Sequence, residues 1–114
     1  MQSERIPEID MARVKITVLK TLDPKIIFGE NVPLYPKTGR PYQVCSRFKE
    51  GQEFVVEEEG EMPEGFCTWA WNDLFRDMIV LRFGGNFPWM TEEGKAITCC
   101  TDGVRPVSFR LERL

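Results

Sequence analysis

Between Gly65 and Gly84 lies the one stretch of this 114-residue chain with sustained three-and-four apolar spacing, and it limits the folds open to the sequence. Cys67, Ala70, Trp71, Leu74, Met78 and Leu81 recur at the interval that lines one face of a helix, so the spacing predicts a helix over about residues 68–83. Gly60, Pro63 and Gly65 break the chain before it, and Gly84 and Gly85 supply a left-handed stop. The other periodic segments alternate with period two. Residues 13–19 put Val14, Ile16 and Val18 on one face, with Arg13, Lys15 and Thr17 on the other. Residues 53–58 form a second strand with Phe54 and Val56 inward, and residues 96–100 and 107–111 form two more, joined by a turn at Asp102 and Gly103. The expected fold is α+β: a small antiparallel sheet of about four strands packed on one main helix.

A chain of this length can bury a core without disulfides or a structural metal. Residues 1–12 are polar without a steady period and read as a flexible leader, which leaves residues 13–114 as a single domain. Residues 23–41 carry Pro24, Gly29, Pro33, Pro36, Gly39 and Pro41. That density argues against regular structure and suggests a functional flap or a segment that packs on a neighbour. Behind the apolar face of the helix, Trp69, Ile79, Val80 and Phe83 form a second apolar patch that needs cover, and a homo-oligomer is the expected way to provide it.

The formal net charge of −3 gives no basic footprint for a nucleic-acid partner, and no apolar stretch approaches the length of a membrane span. Residues 1–12 lack the apolar core of a signal peptide, so a cytoplasmic protein with reduced thiols is expected. The acidic run Glu57, Glu58, Glu59, Glu61 and Glu64 reads as a solvated loop.

Histidine is absent, so any proton-transfer, metal or thiol chemistry rests on Cys, Asp, Glu and Arg. Cys67 precedes the first turn of the helix, where free N–H groups and the positive dipole end favour a thiolate, and Arg47 or Arg105 could add to that effect. Cys100, Asp102 and Arg105 lie together in the hairpin turn with Thr101; a guanidinium there offers a planar fork for a carboxylate or phosphate. The plainer reading is a turn in which Asp102 bonds its own backbone and Gly103 takes positive φ. Neighbouring strand residues face opposite ways, so Ile97 and Cys99 are expected inward beside Val107, Phe109 and Leu111, with Cys100 on the accessible side. A metal site is the alternative, built from Cys45, Cys67 and Cys99 or its neighbour. Its spacing is poor: 22 positions separate Cys45 from Cys67 and 32 separate Cys67 from Cys99. Trp71 belongs to the core face, whereas Trp69 and Trp89 suit a pocket lip or an interface.

The runs MPEGFCTWAW, RFGGNFPWM and CCTDGVRPVSFRLER, in that order, resemble a family of small prokaryotic proteins of unknown function that carry CxWAW, GGxxPW and CCTDGxRPV blocks. VKITVLK and FKEGQEFVVEE resemble the same family. The resemblance implies one intact domain and carries no activity or cofactor. Three classes of function stay open: a self-associating domain with a Cys/Trp-lined pocket for small-molecule binding or thiol chemistry, centred on Cys67, Cys100, Asp102 and Arg105; a Cys-ligated metal protein; and a partner-binding module with inert cysteines.

Overall fold

The computed structural model describes residues 11–114. In chain order its elements are β1 (Val14–Thr21), α1 (Pro24–Phe28), the short strands β2 (Leu34–Tyr35) and β3 (Arg40–Pro41), β4 (Glu53–Val56), α2 (Thr68–Arg82), β5 (Lys95–Cys99) and β6 (Val107–Arg113). Four strands form one antiparallel sheet in the order β4-β1-β6-β5, and β2 and β3 pair with each other. The α+β architecture expected from the sequence is the one observed.

Period-two alternation decides which face of the sheet is wet. Val14, Ile16 and Val18 of β1, Val56 of β4, and Val107, Phe109 and Leu111 of β6 are buried on one face. Across the strands Val14 opposes Val56, Ile16 opposes Leu111 and Val18 opposes Phe109, so the register stacks apolar side chains in rows. Helix α2 closes this face with Ala70, Leu74, Met78 and Leu81, the face that the spacing singles out. Each Val- or Leu-sized side chain removed from water contributes about 1.5–3 kcal/mol, and these rows are what hold the helix on the sheet. The open face carries charges instead: across strands Lys15 meets Glu53 at 3.4 Å and Glu112 at 4.0 Å, and along β6 Arg110 meets Glu112 at 2.8 Å.

Strand β5 corrects the expected facing of the cysteines. Ala96 opposes Leu111 and Thr98 opposes Phe109, while Cys100 N–H donates to the Val107 carbonyl at 3.0 Å. Directly opposed residues share a face, so Ala96 and Cys100 point into the core and Ile97 and Cys99 point out. Side-chain bulk favours the reverse, with Ile97 inward. Register overrides it: the connection from Cys99 to Val107 sets which residues oppose which, and a one-residue slip would exchange the faces.

Helix α2 ends as the glycines require. Gly84 has φ +88°, its N–H donates to the Leu81 carbonyl, and Gly85 N–H reaches the Val80 carbonyl at 2.8 Å, the paired bonds of a Schellman stop. Arg113 completes it. Its guanidinium donates to the Leu81 and Gly85 carbonyls at 3.2 and 2.6 Å, placing a cation at the negative end of the helix dipole. Residue Arg82, buried in the last turn, donates through Nη2 to the Glu58 carbonyl and so ties down the acidic loop, whose Glu57, Glu58 and Glu59 are exposed as expected.

Two further expectations meet the structure differently, and a third falls mostly outside the described residues. Residues 23–41 contain regular structure: Asp23 caps α1 by accepting Lys25 N–H at 2.9 Å, Pro24 occupies the first turn, and Gly39, with φ +68°, closes the β2–β3 hairpin. The prolines and glycines that argue for irregularity sit at caps and turns, where those residues are suited. The patch behind α2 is divided, because Ile79 packs against the core while exposed Trp69 and Phe83 lie fourteen residues apart, about 21 Å along the helix. Most of the expected leader, residues 1–10, lies outside the described residues. Ala12 at its end is fixed, its N–H donating to the Arg82 carbonyl at 3.0 Å.

Candidate functional site

The start of α2, the loop from Cys100 to Pro106 and the segment that leads into β4 meet at one end of the sheet. They enclose a cleft of about 590 Å³. Cys67, Trp69 and Ala70 come from the helix, Cys100, Asp102, Arg105 and Val107 from the loop and the start of β6, and Cys45, Ser46, Arg47 and Phe48 from the third segment. Phe48 anchors that segment in an aromatic cluster. Its ring lies edge-on to Phe109 at 5.2 Å and tilted on Phe66 at 5.1 Å, and Phe66 meets Phe54 at 4.9 Å.

A clamp joins the helix to the loop. Asp73, one turn beyond Trp69, accepts the Thr101 backbone N–H at 2.8 Å and its hydroxyl at 3.1 Å. Thr101 Oγ1 in turn accepts the Trp69 indole N–H at 2.9 Å. The indole is 60% exposed yet held at a fixed angle, so Trp69 forms a wall of the cleft.

Asp102 organises the rest of the loop. Its Oδ1 accepts the Val104 and Arg105 backbone N–H groups at 3.0 and 3.1 Å, and its Oδ2 accepts Arg105 Nε–H at 3.1 Å. Partial burial pushes this carboxyl up, but the Arg105 and Val104 N–H groups and the Arg105 guanidinium outweigh it and hold the group below the ordinary aspartate range. The self-bonded turn is therefore present. Gly103 does not take the positive φ expected of it, because the Asp102 side chain closes the turn without a left-handed residue. The guanidinium of Arg105 lies 5.2 Å over the Tyr42 ring.

Three thiols line the cleft, Cys45, Cys67 and Cys100, and all four cysteines are free. Burial raises the Cys100 thiol above its ordinary value, prevailing over the Asp102 and Val107 N–H groups that favour the thiolate; the Val107 N–H lies 3.3 Å from Sγ. Cys67 is the N-cap of α2, but its sulfur makes no capping hydrogen bond, so the contact that would activate it is not made. Cys99 faces outward and does not line the cleft. The set Cys45, Cys67 and Cys99 is thus not brought together, and among the described residues no three Cys, Asp or Glu side chains are placed to hold a metal ion.

The cleft unites Cys67, Cys100, Asp102 and Arg105, the four residues singled out from sequence, and joins them to Arg47. Asp73, Thr101's clamping partner, escaped notice because it reads as part of the polar side of a helix. Tyr42 and Ser46 lay in a segment with no period or motif to flag them, and Phe48 stood in the run FKEGQEFVVEE without being marked as a site residue. In comparisons with known proteins, no family model, curated protein or solved structure matches this chain. The cleft's geometry is accordingly what carries the functional reading.

Proposed function

We propose that the protein is a small-molecule-binding domain whose ligand lies in the cleft with an apolar or aromatic portion against Trp69, Phe48 and Cys67. The observation that carries this reading is the cleft itself. Its volume of about 590 Å³ falls within the usual range for ligand pockets, and it combines apolar walls with a few convergent polar groups, Arg47, Asp102 and Arg105. Binding is favoured over thiol catalysis, since burial raises the Cys100 thiol and the Cys67 sulfur makes no capping hydrogen bond at the helix start. Cys67 and Cys100 then serve as small polarisable contacts, with Arg105 orienting the ligand's polar end.

The test uses benzyl alcohol as a neutral aromatic probe, followed by NMR titration against the native protein and a Cys67→Phe variant whose ring intrudes on the apolar wall beside Trp69. Saturable binding to the native protein and its loss in the folded variant are expected. Absence of binding, or equal binding to both proteins, would reject the reading. We further propose that the protein is cytoplasmic and self-associates, the latter supported by Trp89 and Phe83, which are 73% and 54% exposed. Light scattering at micromolar concentration should give a mass above the monomer's; a monomeric mass would remove self-association.

A further inference from the structure

On the far side of Arg105 and Tyr42 a second cavity, of about 320 Å³, opens against the β2–β3 hairpin. It shares Ser46 and Arg105 with the first, so the two are adjoining chambers that meet at these residues. The chemistry of the second is different. Its charged side chains are Arg40 and Arg105, both cationic, and Tyr35, Thr38, Tyr42 and Ser46 add four hydroxyls. Over the two chambers three guanidiniums, Arg40, Arg47 and Arg105, face one carboxylate, Asp102, a local surplus of two positive charges in a chain whose net charge is −3.

Arg105 is held in place before any ligand arrives. Asp102 holds Arg105 through Nε, and the Tyr42 ring supports its face at 5.2 Å, which leaves the two Nη groups without a hydrogen-bond partner among the described residues. Tyr42 is itself packed on Tyr35 at 5.3 Å. The hairpin is tied off by Gly39 N–H to the Tyr35 carbonyl at 2.8 Å and by Tyr42 N–H to the Pro33 carbonyl at 3.0 Å. Thr38 Oγ1 accepts the Arg40 N–H at 3.2 Å, so its own hydroxyl hydrogen is available to donate. A carboxylate would be satisfied by one guanidinium fork. Two guanidiniums with several hydroxyls match a tetrahedral dianion better.

We infer that the second cavity is the seat of a phosphate monoester, so that the ligand spans both chambers with its apolar part beside Trp69 and its phosphoryl group between Arg40 and Arg105. This rests on the ligand-cleft reading above and names the class of ligand. The probes are phenyl phosphate, benzoate, inorganic phosphate and benzyl alcohol, each titrated by NMR into the native protein, Arg40→Gln and Arg40→Lys. Phenyl phosphate should bind at least about tenfold more tightly than benzoate or inorganic phosphate, and its affinity should fall with added salt. Arg40→Gln should weaken it about tenfold or more, and Arg40→Lys by less, since the point charge survives and the fork does not. Benzyl alcohol affinity should be unchanged in both variants, because Arg40 does not line the first chamber. If benzyl alcohol binds but Arg40→Gln leaves phenyl phosphate unaffected, or benzoate equals phenyl phosphate, the phosphoryl site is overturned and the cleft reading stands. If phenyl and inorganic phosphate bind in an Arg40-dependent way while benzyl alcohol does not bind, the anion seat is upheld and the aromatic cleft fails. No binding of phenyl phosphate overturns the inference outright.

Discussion

Replacing Asp73 by Ala removes the clamp between α2 and the 100–106 loop, and so tests whether the cleft's walls are fixed by the fold. Two groups of Thr101 lose their acceptor, the backbone N–H at 2.8 Å and the hydroxyl at 3.1 Å. A hydrogen bond to a charged group contributes about 1.5–3 kcal/mol, whereas Thr101 is exposed and water replaces much of what is lost, so the expected total is about 1.5–2.5 kcal/mol. At about 4–8 °C per kcal/mol for a domain near this size, the midpoint of thermal unfolding should fall by roughly 6–20 °C. Asp73→Asn retains a carbonyl oxygen for the backbone N–H and should lose about half as much. The second consequence falls on Trp69. Its indole N–H donates to Thr101 Oγ1, so its resonance should move in Asp73→Ala as the loop is released. Urea titration and the indole resonance together decide the matter. A loss below about 0.5 kcal/mol with an unmoved indole signal would refute the clamp, because the two bonds would then contribute no more than water does.

The remaining predictions concern the loop and its thiols. Cys99 should be alkylated by a small thiol reagent well before Cys100, which is buried and raised in pKa; equal rates would contradict the register of β5 and β6. Asp102, held below the ordinary aspartate value, contributes stability that is fully present above that value and is lost as pH falls through its lowered pKa. The stability gap between the native protein and Asp102→Asn should therefore be constant near neutral pH and close in acid below about pH 4, and a gap that widens on acidification would reverse the sign.

What the sequence disclosed, and what it did not, follows from the range of the forces involved. Helix α2 and strands β1, β4 and β6 were legible because their apolar residues repeat at the period of the element, and that same pattern creates the buried face in the fold. Strand β5 was legible as a strand and misread in its facing. Ala96 and Ile97 differ in bulk, but the face is settled by pairing with β6, and pairing depends on a loop whose geometry no local pattern encodes. The site shows the same division. Cys67, Cys100, Asp102 and Arg105 were visible as unusual residues in short blocks, and Asp102 and Arg105 even bond locally. Asp73 holds Thr101 across 28 positions, and Arg40 shares a chamber with Arg105, 65 positions away. Such long-range pairs leave no periodic trace.

The two-chamber ligand site is tested most directly by mapping backbone amide shifts of the native protein during titration with phenyl phosphate. The expected perturbations cluster at residues 35–48, 67–70 and 100–107, the three segments that line the two chambers, and saturate together with one affinity. Shifts confined to Phe83–Trp89 or to the charged open face of the sheet, or no saturable shift at all, would contradict it.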